Sequence, residues 1–319
     1  MSLHDATDGY AHIGLPRFQT AETCLANMDA NGIGKAMVCP FETCPDLAEV
    51  HRAYSIAPNR FRIFGLSLGG ADRGLVEKGL HAQFDAGFEG MRVSLERIAE
   101  VPFVLDVIAQ RKGIPLVVTN QGGHAPQAER LLAFLDAHPD SIIVSPHMAG
   151  PTHPQIFAEN AAVKALFSHP NFYVVASRQT LFDPATMTAW GWALVEHVGW
   201  DRLIWGSEAP VLYWRDETID QAASWVDQFG PSEAQRTAFF SGNADRAIFA
   251  RPLRAPQPLA LPYEPFDFEL KRLAPMWPNG FDADTDLPGR LVARWMDEGG
   301  PSVQSLSAFA NKLLLKATQ

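Results

Sequence analysis

Along the first 250 residues, short runs rich in β-branched and other apolar side chains alternate with longer stretches whose apolar positions recur every three or four residues. The runs are Gly9 to Ile13, Lys35 to Cys39, Phe61 to Ser67, Gly90 to Val93, Pro115 to Thr119, Ser141 to Ser145, Phe172 to Ala176 and Leu203 to Trp205. A short run followed by a helical period is the signature of a strand with a crossover helix, and crossover helices make neighbouring strands parallel. Eight such units predict an α/β chain closed into a (β/α)8 TIM barrel.

The helical stretches carry their own start and stop signals. Thr20 precedes Ala21 to Met28, where Leu25, Met28 and Ile33 are spaced for one face and Gly32 marks the stop. Pro102 is expected to open a helix over Phe103 to Lys112 that closes at Gly113, and Pro126 to His138 repeats the scheme with Leu131, Leu132 and Leu135. Pro231-Ser232-Glu233 starts another helix reaching about Ser241, and Asn243-Ala244-Asp245-Arg246 starts a last short one. Beyond Arg251 the texture changes: Pro252, Pro256, Pro258, Pro262 and Pro265 exclude a helix interior and predict an extended path over a surface. The expected organisation is a barrel over 1–250 and an extension over 251–319. Within the extension, Glu269 to Leu273, Leu291 to Met296, Val303 to Leu315, Trp277 and Trp295 are expected to pack on the barrel or on a partner subunit, making the protein a homo- or hetero-oligomer.

Composition narrows the partners. With 47% apolar and 19% charged residues, the 319-residue chain can bury a sizeable core. A formal charge of -10 argues against nucleic acid, whose binders present a basic face. The first fifteen residues contain His4, Asp5, Asp8 and His12 and lack the basic start and apolar stretch of a signal peptide; no run is long enough for a membrane span. Three cysteines fit a reducing compartment, so a cytoplasmic location is expected.

A parallel barrel collects its chemistry at the carboxyl ends of its strands. The groups placed there are Tyr10 and His12 on strand 1, Glu42 after strand 2, Arg92 on strand 4, Asn120 after strand 5, His147 after strand 6, Arg178 after strand 7 and Glu208 after strand 8. A carboxylate can take a proton from water, an imidazole can polarise a carbonyl, and a guanidinium fork suits a substrate carboxylate. Two such arginines point to a small anionic substrate, against the alternative that they pair with Glu42 or Glu208 as structural ion pairs. Trp190, Trp192, Trp205, Tyr213 and Trp214 are candidates for an aromatic lining, against the alternative that they are core. Phosphate loops, paired cysteines at metal-finger spacing and the Gly-x-Ser-x-Gly elbow are all missing, which removes support for kinase, dinucleotide oxidoreductase and serine esterase readings.

Four segments together resemble the amidohydrolase superfamily, in particular amidohydrolase family 2: Asp8-Gly9-Tyr10-Ala11-His12, Val144-Ser145-Pro146-His147 with Gly150-Pro151, Gly206-Ser207-Glu208-Ala209, and Ser241-Gly242-Asn243-Ala244. The resemblance covers roughly residues 8 to 250. In that family strand 1 carries His-x-His, strand 5 a histidine and strand 8 an aspartate; this chain has Tyr10-x-His12, Thr119-Asn120 and Glu208 instead.

The resemblance implies Glu208, His147 and His12 as catalytic residues, and Arg92, Arg178, Tyr10 and Asn120 as substrate-binding residues. It also implies His12, His147 and Glu208 as the ligands of any metal, with Glu42 and His124 as possible recruits. Two states stay open: one divalent ion, zinc, manganese or iron, or a metal-free site like that of the family's lactonases. Three activities stay open with them. One is hydrolysis of a carboxylated lactone, ester or amide; another is decarboxylation; the third is service as a degenerate subunit beside a paralogue whose metal centre is intact.

Overall fold

A computed structural model describes residues 3, 5–15, 17–42, 44–119, 122–181, 183–255 and 257–265. Its eight parallel strands follow chain order around the barrel: β1 (Ala6–His12), β2 (Ile33–Cys39), β3 (Phe61–Leu66), β4 (Gly90–Ser94), β5 (Ile114–Val118), β6 (Ile143–Ser145), β7 (Phe172–Ala176) and β8 (Leu203–Trp205). Each expected strand lies where its apolar run falls, with bounds that move by a few residues at most. β1 starts three residues before Gly9, because Ala6 to Asp8 already pair with β2.

The strands bury both faces. Tyr10, Met37, Phe64, Leu116, Val144, Val175 and Ile204 fill the barrel interior, whereas Ala11, Val38, Met91, Val117, Val174 and Trp205 face the helices. Helices start where a short polar side chain can take up free backbone donors: Thr20, Asp46, Asp72, Asn160 and Asp183 each accept from a first-turn N–H. The helix expected from Pro102 begins at Val104 and ends at Gln110, so the proline stands just ahead of it rather than in its first turn.

Two details position the barrel mouth. β1 carries a bulge, since Asp8 pairs with Ala36 and Ala11 with Val38, leaving three steps against two. A bulge re-aims the side chains beside it, and here Tyr10 points into the interior. The seam between β8 and β1 is closed at the carboxyl ends by Glu208 N–H donating to the Tyr10 carbonyl and His12 N–H to the Ala209 carbonyl, both at 2.7 Å. Glycine permits that approach: a Cβ on Gly206 would lie 2.5 Å from Val175 Cγ1 and 3.1 Å from Tyr10 Cβ.

The opposite end of the barrel is plugged. Ala244, Ala247, Ile248 and Phe249 join the interior cluster, and Asn243 Nδ2 donates to the Trp200 and Leu203 carbonyls at 2.6 and 2.7 Å. The chain then continues along the outside, where Tyr54 Oη donates to the Arg254 carbonyl at 2.6 Å and Leu259, Leu261 and Tyr263 pack on the outer core. Residues 266–319, which hold the expected extension helices, Trp277 and Trp295, lie outside the described residues. No helix among the described residues is long and apolar enough to cross a membrane.

Candidate active site

Three strand ends deliver the central group. Arg178 Nε donates to Glu208 Oε1 at 2.5 Å, and His147 Nδ1 lies 3.6 Å from the same oxygen. Glu208 and His147 are wholly buried and Arg178 nearly so. All three have left-handed backbone, with φ of 58° at Glu208, 59° at His147 and 64° at Arg178. Side chains with a Cβ avoid this region at a cost of roughly 1 kcal/mol or more each, and such residues persist only where their surroundings hold them. Strands β6, β7 and β8 thus all bend the same unfavourable way to aim one side chain each at a common point.

The restraints are visible at every bend. His147 N–H donates to Ser177 Oγ at 2.9 Å, and Trp190 Nε1 donates to the carbonyl of Met148, itself left-handed, at 2.8 Å. Ser177 Oγ also lies 3.3 Å from His147 Nδ1. With the hydroxyl proton on Nδ1, the ring carries its own proton on Nε2; the other tautomer places the ring proton on Nδ1, toward Ser177 and Glu208. His147 Nε2 is buried and has no hydrogen-bond partner among the described residues. Burial first, then the nearby Arg178 and Arg92 charges, hold this imidazole well below its ordinary value, so it is neutral at pH 7.

His12 lies in the same group, with Tyr10 between the two imidazoles: the Tyr10 ring meets His12 edge-on at 4.8 Å and His147 at 4.9 Å. His12 Nδ1 donates to the Cys39 carbonyl at 3.1 Å, which leaves a lone pair on Nε2. Burial and the Arg92 charge keep it neutral too. His12 is therefore an acceptor at its free nitrogen.

Arg92 Nε donates to Tyr10 Oη at 3.4 Å; its Nη1 pairs with Glu42, and its guanidinium lies 4.4 Å from the Phe41 ring centroid. Above His12, Phe18 stacks at 4.6 Å, and Trp214 stacks on Phe18 at 5.9 Å. Arg17 sits 5.0 to 5.4 Å from the Phe18, Phe41 and Trp214 rings, a cation held against aromatic faces.

Several expectations are corrected. His124 does not reach the mouth: Nε2 meets Ser145 Oγ at 2.8 Å, and the ring packs against Phe167 and Phe172 on the outer layer, where burial lowers it to about 3. Glu42 is committed to Arg92. Of the aromatic candidates only Trp214 faces the site; Trp190 and Trp205 belong to the outer core and Trp192 is half exposed. Asn120 lies outside the described residues.

Two residues not among the expected site residues complete the group. Arg215 Nη1 donates to Glu208 Oε2 at 2.8 Å and its Nη2 to Glu217 Oε2 at 3.3 Å. Asp8 accepts from Ser207 beside Glu208. The Arg215 signal was present in the arginine seven residues after Glu208, one short turn beyond the strand end. Asp8 sat in plain view in the strand-1 segment, but its pairing across the seam needs coordinates.

Among the described residues the donor set does not assemble a metal site. Both Glu208 oxygens are taken by guanidiniums, and no group of three His, Cys, Asp or Glu among the described residues converges as a metal site, although Nε2 of both His12 and His147 is left free. Arg92, Arg178 and Arg215 would also oppose a dication.

A buried acid, imidazole and guanidinium meet at the carboxyl ends of a parallel barrel, where such barrels carry their active sites. The amidohydrolase profile matches residues 7–249, so the chain belongs to the amidohydrolase family, a family of enzymes. Among solved structures it is similar to a putative 2-pyrone-4,6-dicarboxylic acid hydrolase from Pseudomonas putida, at 18% identity and TM-score 0.61 over 78% of this chain and 100% of that one. An amidohydrolase from Burkholderia multivorans with bound zinc matches at 18% identity and TM-score 0.57, over 77% and 99%. A 5-carboxyvanillate decarboxylase from Novosphingobium aromaticivorans, complexed with manganese, matches at 14% identity and TM-score 0.55, over 76% and 96%. These likenesses establish the fold. No curated protein sequence matches the chain.

Proposed function

We propose that the protein hydrolyses a small carboxylated lactone, ester or amide without a metal ion. The observation that carries this reading is the meeting of Glu208, His147 and Arg178 at one buried point, each on strained backbone. Arg178 takes the substrate carboxylate, drawing away from Glu208 Oε1 as it does so. Glu208 then accepts a proton from water while the water oxygen bonds to the carbonyl carbon. His147 Nε2–H donates to the oxygen that gains charge. Collapse breaks the bond to the leaving oxygen or nitrogen, which takes the proton from Glu208, so the carboxylate is regenerated. Arg92 and Tyr10 form the floor beneath this exchange, and the His12 lone pair faces a substrate hydroxyl or the water.

The likeness to a pyrone dicarboxylic acid hydrolase favours a ring with carboxylates among such substrates. Glu208→Gln assayed on a panel of carboxylated lactones tests the reading: a loss of about 10²- to 10⁴-fold in kcat is expected, and full activity would remove Glu208 as the base. One feature favours a second reading, a non-catalytic subunit of a hetero-oligomer: both Glu208 oxygens are already satisfied by arginines. Activity of the protein purified alone decides against that alternative; co-purification with a paralogue decides for it.

A further inference from the structure

We infer that Asp8 is a positioning residue for Glu208, acting through Ser207 across the β8–β1 seam. This rests on the reading of Glu208 as the base.

Asp8 lies in β1 and is buried. Its Oδ1 accepts from Tyr10 N–H at 3.0 Å and from Ser207 N–H at 2.9 Å, and its Oδ2 accepts from the Ser207 hydroxyl. Ser207 Oγ in turn accepts from Ala209 N–H at 2.8 Å, and Glu208 N–H donates to the Tyr10 carbonyl at 2.7 Å. The backbone N–H groups of residues 207, 208 and 209 are thus all fixed, each to Asp8, to its neighbour Tyr10, or to the hydroxyl that Asp8 holds. Glu208 has φ of 58°, a conformation a glutamate does not keep without such restraint.

One carboxylate therefore connects the bulge that turns Tyr10 inward to the bend that aims Glu208. Among the described residues, every hydrogen bond to Asp8 comes from a backbone N–H or a hydroxyl. A group whose task was only to close the seam could be apolar, as Gly9 and Ile204 are beside it; a triple acceptor is needed where the backbone to be held has free donors.

The test compares crystal structures and kinetics of the full chain as wild type, Asp8→Asn, Ser207→Ala and Ser207→Thr. Asn keeps one acceptor but presents an amide to Ser207 Oγ, and Ala removes the hydroxyl from the other side, so either variant can report if the other does not fold. In Asp8→Asn or Ser207→Ala the contact of Glu208 with Arg178 is expected to open, with kcat lowered at least tenfold and KM changed less than threefold. Ser207→Thr keeps the hydroxyl and is expected to retain the contact and the rate.

A Glu208 that superposes on the wild type in both disrupted variants overturns the inference, as does an unchanged kcat where Glu208→Gln is inactive. If Glu208→Gln keeps full activity, the base assignment fails by itself, while a displaced Glu208 in Asp8→Asn still supports Asp8 as the group that sets that side chain.

Discussion

Asp8 is expected to cost the fold stability at neutral pH, and Asp8→Asn measures how much. Burial raises its carboxyl from 3.8 to about 6, against the lowering effect of its bonds from Ser207 and Tyr10. A folded-state value about two units above the unfolded one corresponds to about 3 kcal/mol. The sign follows from proton uptake: the folded chain holds this proton more tightly, so the contribution is fully favourable below pH 3.8, is lost as pH rises, and is absent above about 6. His12 and His147 act in the opposite sense, because burial lowers both and their contribution is lost as pH falls below the ordinary imidazole value. The wild-type curve alone therefore mixes opposing slopes.

The difference between wild type and Asp8→Asn isolates one of them. Bonds lost to the amide shift that difference by a constant; only the carboxyl makes it depend on pH. Urea midpoints of both proteins, followed by tryptophan fluorescence from pH 4 to pH 8, should show the wild type losing about 2 kcal/mol relative to the variant between pH 4 and pH 6 and little further above. In thermal melts this is roughly 4 to 8 °C for a domain of this size. A difference flat across that range, or rising with pH, would refute the account of Asp8 as a carboxylate buried against its own solvation.

Arg178→Gln should raise KM for carboxylated substrates by about 10- to 100-fold, the worth of one charge-assisted contact, with a smaller effect on neutral esters; an equal loss on both would count against its role as the carboxylate clamp. Ser177→Ala removes the partner of both His147 N–H and Nδ1. It should lower kcat about tenfold and destabilise by about 1 to 3 kcal/mol, read by steady-state kinetics and urea midpoints, and an unchanged rate would remove Ser177 from the orientation of His147. Dialysis against a chelator, followed by metal analysis and assay, should leave activity intact, whereas recovery only on adding zinc or manganese would replace the proposed mechanism.

The architecture was legible in the chain because a barrel repeats one local rule eight times. A run such as Phe172 to Ala176 or Leu203 to Trp205 is apolar throughout since it is buried on both faces, and that is a property of the run itself. The same rule placed His12, His147, Arg178 and Glu208 at strand ends, and closure alone brings strand ends together. Where single residues had to be judged, the outcome depended on direction. His124 and His147 both follow apolar runs, yet the loop after β5 turns His124 outward against Phe167 while the left-handed turn after β6 turns His147 inward.

By itself, then, the sequence determined the eight-unit barrel, the family to which it belongs and the strand ends that hold its chemistry, because hydrophobic periodicity and strand-end motifs are local. Only the tertiary structure decided which nitrogen of each histidine is free, that Arg215 joins Arg178 on Glu208, and that Asp8 bonds to Ser207 across the seam. Those facts depend on atoms separated by up to 199 positions along the chain lying within hydrogen-bond distance, and no spacing pattern encodes an angle between two such side chains.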